Sequence, residues 1–170
     1  YIDNAKRLYA GYGDLGLTAH DTARKVLARE GFFARKGKRL LVIAPIHKLQ
    51  WHIIVNADSP IKTIWDLKGK RVNLQPKGSS SEKTGSAIFK ALNIPIRPSY
   101  YRHSEAAQAL KTGMIDAHFL GGSTPVFMEY SLRTPIRVIE LSNDDVKKIV
   151  GKLPFLSPDR FPCGRYYKGT

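Results

Sequence analysis

Four short apolar runs, WHIIVN (51–56), RVNL (71–74), MIDAHFL (114–120) and IRVIEL (136–141), punctuate the second two-thirds of the chain, and helix-like stretches separate them. Parallel strands need a long crossover between them, so strand–helix alternation of this kind restricts the chain to α/β folds. The first third continues the pattern. A helix is predicted over Tyr1–Ala10 with Gly11 as its C-cap, a strand over DLGLTA (14–19), a helix from Asp21 to Glu30, and a strand over RLLVIAPI (39–46). The expected architecture is α/β with a mixed, largely parallel sheet.

The connecting segments carry recognisable punctuation. SPIKTIWDLKGK reads as a turn and a short helix ending near Gly69. Ser79 with Glu82 three residues later forms a capping box for a helix over Ser80–Leu92, whose stripe is Thr84, Ala87, Ile88, Ala91 and Leu92. Asn93 before Pro95 predicts a left-handed C-cap. Ser104 caps a helix ended by Gly113, Thr124-Pro125 opens another, and Asn143 caps the helix over 144–152. One internal echo stands out: LYAGYGDLGLTAHD (8–21) and LKTGMIDAHFLGGS (110–123) share Leu, Gly, Asp and an apolar residue at three-residue steps. Both read helix, Gly, strand, loop, helix start, which points to two related α/β lobes, although any helix–Gly–strand unit can imitate it.

The segment QPKGSSSEKTG (75–85) has the flavour of a phosphate loop without its pattern. Glu82 stands where a Gly belongs and the spacing is one residue short. What remains is Gly78, Ser79, Ser80 and Ser81 at a helix start, where unpaired N–H groups and the positive dipole end favour an anion. A cap needs one hydroxyl, and this loop supplies three. Gly121-Gly122-Ser123-Thr124 and Ala19-His20-Asp21 are similar, weaker candidates that plain capping also explains.

Catalytic and metal patterns are sparse. His20-Asp21 is the adjacent acid–base pair, no nucleophile elbow is present, and His47, His52, His103 and His118 stand apart in sequence, which suits structural roles. The single cysteine, Cys163, excludes an internal disulfide, and no metal or cofactor is implied. Twenty-eight Lys and Arg against fourteen Asp and Glu give a net charge of +14 across 170 residues. That balance favours an acidic partner, yet apart from ARKGKR (34–39) the cations are dispersed as on a solvated surface. No apolar run reaches bilayer-spanning length. Tyr1 falls inside the first helix and GRYYKGT trails without a cap, so a fragment or processed product is expected.

The order of motifs resembles a known family. SPIKTIWDLKGKRVNLQPKGSSSEKTGSAIFKALNI, HSEAAQALKTGMIDAHF, AGYGDLGLTAHD and FPCGRYYKG are together similar to type 2 periplasmic solute-binding proteins, most closely the TAXI-type receptors of tripartite ATP-independent periplasmic (TRAP) transporters. The resemblance implies a two-lobed clamp with residues 1–57 in a first, incomplete lobe, 58–153 in the second, and 154–170 returning to the first. It implies a receptor, not an enzyme, that holds a small anionic solute (carboxylate or amino acid) in the interlobe cleft and delivers it to TRAP-type membrane subunits in the bacterial periplasm, without nucleic acid. Gly78, Ser79, Ser80 and Ser81 fit the ligand loop of the second lobe and His20 and Asp21 that of the first, with Gly122, Ser123 and Tyr166 as further ligand contacts. Ser80 replaces the family's usual second loop Gly, His20 departs from its Gln-Ser-Asp, and the Gly-rich, tyrosine-containing N-terminal loop is absent. Two rivals stay open: an enzyme on the same scaffold, and a basic protein that binds nucleic acid or an anionic surface.

Overall fold

A computed structural model describes residues 2–122 and 135–160. The chain divides into two compact units, Tyr1–Lys48 and Leu49–Thr170. The helix expected at Thr124-Pro125 lies outside the described residues.

The second unit is built on a five-stranded sheet. Its strands are β1 (Gln50–Asn56), β2 (Arg71–Asn73), β3 (Arg97–Ser99), β4 (Ala117–Gly122) and β5 (Ile136–Val138), in the order β3-β2-β4-β1-β5. β2 runs parallel to β3 and β4, with Val72 opposite Pro98 and Ala117. β1 runs antiparallel to β4 and β5, pairing Gln50 with Gly122 and Ile54 with Val138. The expected mixed sheet is present, with β1 reversed between β4 and β5. β1 pairs on both sides within this sheet. Pro98 lacks an N–H, and it sits on the edge strand, where one is not needed.

Alternation along the strands sorts side chains to two faces. Ile53, Val55, Val72, Leu74 and Phe119 pack with Ile88, Phe89 and Leu92 of helix α3 (Ser80–Ala91) and Ile149 of helix α5 (Asn143–Lys152). Ile54, Leu120 and Ile136 face the other way, onto Ala106, Ala109 and Leu110 of helix α4 (His103–Lys111). α3 and α4 also bring small residues against the sheet, Gly85 in the one and Ala106 and Ala109 in the other. At Gly85 of α3 a Cβ would stand 2.8 Å from the Phe119 ring and 2.9 Å from a Leu74 methyl. Gly85→Ala is therefore expected to destabilise the protein by about 1–2 kcal/mol, overpacking outweighing the gain in helix propensity. A raised urea midpoint in that variant would show that Phe119 and Leu74 yield freely.

Polar ties fix the connections. The Arg71 guanidinium donates to both oxygens of Asp116 at 3.1 and 2.7 Å, and the Arg71 N–H also donates to it. These contacts, the guanidinium first, hold the Asp116 carboxyl below its usual range. Asp145 accepts from the Ser142 amide and hydroxyl and, at 3.0 Å, from the Trp65 indole, joining the α5 cap to the 3₁₀ turn Ile64–Leu67. The Asn93 left-handed cap is present, at φ 57°, and Gly69 and Gly113 adopt positive φ after their helices.

Three expected caps are displaced by one or two residues. Ala19 rather than Asp21, Arg102 rather than Ser104, and Ser142 rather than Asn143 hold the cap positions. At Ala19 and Arg102 extended backbone sets the helix start, with no cap bond from either side chain, whereas the Ser142 hydroxyl accepts from the Asp145 N–H. The Ser79 box is half formed. Its hydroxyl accepts from the Glu82 N–H, but Glu82 reaches the Gly78 N–H and not that of Ser79.

The first unit holds helix α1 (Ile2–Tyr9), helix α2 (His20–Leu27) and a 3₁₀ turn at Gly31–Ala34 around Ala5, Tyr9 and Phe33. The Tyr9 hydroxyl donates to the Phe33 carbonyl at 2.8 Å, with the Phe33 ring edge-on to it. The strands expected over 14–19 and 39–46 are not formed. A strand needs a neighbour for its N–H and C=O groups, and this unit contains no other strand among the described residues. Leu15 and Ile43 accordingly stand 77% and 80% exposed. The internal echo thus holds as helix and left-handed Gly, at Gly11 and Gly113, but only the second copy continues into a strand.

Candidate functional site

β2, β3 and β4 run in one direction, so their carboxyl ends open at one edge of the sheet. In open α/β sheets that edge is where ligands bind. From β2 the chain turns through Leu74–Ser79 into α3, and from β3 through Tyr100–Arg102 into α4, so two helix N-termini reach it. β4 outruns β2 there: Asn73, its last residue, pairs with His118, and β4 continues to Gly122.

Asn73 is fully buried and fastens the β3–α4 turn. Its side-chain oxygen accepts from the Tyr101 N–H at 2.7 Å, and its amide donates to the Tyr101 carbonyl at 3.1 Å. Two links then join this turn to the serine loop. Lys77 Nζ lies 4.9 Å from the centre of the Tyr100 ring, a cation–π contact. The buried Gln75 places its amide nitrogen 2.9 Å from a ring nitrogen of His103 and 3.5 Å from Nε2 of His118, while its oxygen accepts from Ser81 Oγ at 3.3 Å. The His103 and His118 ring centres are 5.9 Å apart. Burial, then the neighbouring His103, pushes the His118 imidazole down to about 3, so it stays neutral at pH 7.

Each serine of the loop has a different task. Ser79 caps α3, Ser81 is buried against Gln75, and the half-buried Ser80 keeps its hydroxyl uncommitted among the described residues. The N–H groups of Ser80 and Ser81 likewise take no acceptor among the described residues. Gly78, at φ 81°, makes the turn that turns them outward from the strand. The arrangement offers two amides, a hydroxyl, the positive end of a twelve-residue helix and the Lys77 ammonium, all suited to a small anion. Glu82 is occupied by the Gly78 N–H and the Ser86 hydroxyl.

Of the residues named from sequence, Gly78, Ser79, Ser80 and Ser81 come together, and Gly122 ends β4 at the same edge. His20 and Asp21 lie in the first unit, in the opening turn of α2, His20 exposed and Asp21 half-buried. Ser123 and Tyr166 fall outside the described residues, as does Cys163. Sequence reasoning passed over Gln75, Lys77, Asn73, His103 and His118. The available signal was polarity inside an apolar run: Asn73 in RVNL and His118 in DAHFL are side chains that a buried strand cannot leave unbonded. Among the described residues no three His, Cys, Asp or Glu side chains cluster at metal-binding distance, and no helix is long and apolar enough to cross a membrane.

Comparison with known proteins gives partial matches. An Escherichia coli (strain K12) protein named for binding aliphatic sulfonates is 34% identical over 98 residues, 54% of this chain and 29% of the relative. The crystal structure of the periplasmic aliphatic sulphonate binding protein from Escherichia coli matches with 32% identity over 53% of this chain and 29% of its own, TM-score 0.46. A Brucella ovis ABC transporter/periplasmic binding protein with glutathione bound matches at 17% identity over 55% and 30%, TM-score 0.47. The chain thus spans about three-tenths of the curated relative it matches. The α/β architecture with a mixed sheet that the sequence implied is present in the second unit. The NMT1-like family model matches residues 2–170, and the chain belongs to that family.

Proposed function

We propose that this chain is part of a periplasmic solute receptor that captures a small organic anion, a carboxylate or an amino acid, and delivers it to a membrane transporter. The observation that carries the reading is the start of α3, where the Ser80 and Ser81 amides and the Ser80 hydroxyl have no partner among the described residues and lie beside Lys77. In this reading Gly78, Ser79, Ser80, Ser81 and Gly122 form the second-lobe side of the clamp. His20 and Asp21 belong to the first-lobe side, and Ser123 and Tyr166 contribute further contacts. In this reading the second lobe begins ahead of β1, near residue 49, and 154–170 return to the first. Binding rests on oriented N–H and O–H groups rather than covalent chemistry, and closure is a population shift that the ligand drives through contacts to both lobes.

Calorimetry with succinate, L-glutamate and butanesulfonate tests the solute class, the last because one relative is named for sulfonates. At least one compound is expected to bind, and Ser80→Ala to weaken it about tenfold, the loss of one hydrogen bond to a charged ligand. Failure of all three to bind, or a Ser80→Ala variant with unchanged affinity, overturns the assignment. Affinity for duplex DNA that falls steeply with salt would instead support a polyanion binder.

The ordered motifs of residues 59–94 and 103–119 support a TRAP-type membrane partner, whereas five structurally matched proteins are named as belonging to ABC transporters. Receptor-dependent uptake into ATP-depleted vesicles separates them, since a TRAP-type partner keeps working there and an ABC-type partner stops.

A further inference from the structure

Gln75 has a buried backbone in the left-handed region, at φ 67°, immediately after β2. For a residue with a Cβ that conformation costs about 1–2 kcal/mol. Such strain persists where the surroundings over-determine it. Asn93, the other non-Gly residue of this kind among the described residues of the second unit, is a solvent-exposed helix cap, which asparagine tolerates.

The Gln75 side chain shows what holds the conformation. One primary amide bridges three elements: Ser81 in the first turn of α3, His103 at the first position of α4, and His118 in β4. The oxygen accepts from the Ser81 hydroxyl, and the amide nitrogen faces ring nitrogens of both histidines. A neutral imidazole has one N–H and one lone pair, so its tautomer follows the hydrogen bond it makes.

We infer that Gln75 is the positioning residue of the anion site: it holds Ser81, and through it the first turn of α3, at a fixed distance from the start of α4. The inference rests on the reading of loop 78–81 as ligand-facing and adds the part that sets its geometry. Gln75 need not touch the solute. It acts through Ser81, whose backbone N–H is one of the amides offered to the ligand. Asn73 does the matching work on the β3–α4 turn, so the two helix starts are both anchored to the end of β2.

Gln75→Gly makes the test sharp, because glycine accepts the left-handed backbone without strain and removes only the tie. In the full chain, amide hydrogen exchange at Ser79, Glu82 and Lys83, whose N–H groups are bonded to Pro76 O, Ser79 Oγ and Ser79 O, is expected to speed up at least about tenfold in this variant. Exchange at Phe119 and Leu120 in the sheet is expected to stay as in the wild type. Faster exchange throughout, or no change in the loop, overturns the inference, since a residue that merely supports the fold moves both or neither. With whichever of succinate, L-glutamate or butanesulfonate binds, Gln75→Gly and Ser81→Ala should each lose about tenfold in affinity, and the double variant should be no weaker than the weaker single one. Additive losses overturn the route through Ser81. If the wild type binds none of the three, the solute-receptor reading falls, and the exchange result still decides whether Gln75 positions the loop.

Discussion

Lowering the pH from 7.5 to 5 is expected to remove about 4 kcal/mol of stability. The cause is two buried imidazoles in adjacent strands. Burial pushes His52 down to about 4 and, with help from His103, His118 down to about 3. In the unfolded chain both titrate near 6.5. Below that pH the unfolded state binds two protons that the native state refuses, so stability falls as pH falls. The loss begins near pH 6.5 and continues until the native imidazoles themselves protonate, between about 4 and 3. At pH 5 each histidine has lost about 2 kcal/mol. Urea midpoints followed by tryptophan fluorescence at the two pH values measure it, and equal midpoints would refute it. His118→Gln should flatten roughly half of the slope.

Phe119→Ala is expected to cost about 3–5 kcal/mol, near the upper end for a single core truncation. Phe119 is fully buried on β4 and stacks on Trp51 of β1, ring centres 5.4 Å apart and planes 11° from parallel. Phe89 of α3 meets it edge-on at 6.4 Å, and Gly85 lies against its ring. Truncation therefore removes the aromatic pair and opens a void between sheet and helix that two rigid rings and a helix backbone cannot close. A loss below about 1.5 kcal/mol would mean that the neighbours collapse into the space. Trp51 emission should shift in the same variant.

The sequence made the second unit readable because its signals are local. Alternation placed Ile53 and Val55 opposite Ile54, and Ser79, Asn93, Gly69 and Gly113 marked helix limits where the backbone confirms them. The 14–19 and 39–46 segments misled for the same reason. An apolar run shows that a segment can form a strand, whereas forming one requires a neighbouring strand that no local pattern reports. The candidate site was half visible. Four small residues at a helix start can be read from spacing, but the meeting of Gln75 with His103 and His118 depends on parallel pairing across two crossovers. Neither histidine's sequence neighbours record that encounter.

The position of β1 has a consequence for how the polypeptide is made. This strand lies between β4 and β5, its partners Gly122 and Val138 emerging from the ribosome 72 and 84 residues after Gln50 and Ile54. Ile53, Ile54 and Val55 must therefore wait, apolar and unpaired, through the synthesis of most of the unit they will centre. Nucleation cannot proceed in order along the chain. Closure of the sheet is a late, long-range event, slow by topology and vulnerable to intermolecular pairing in the interval.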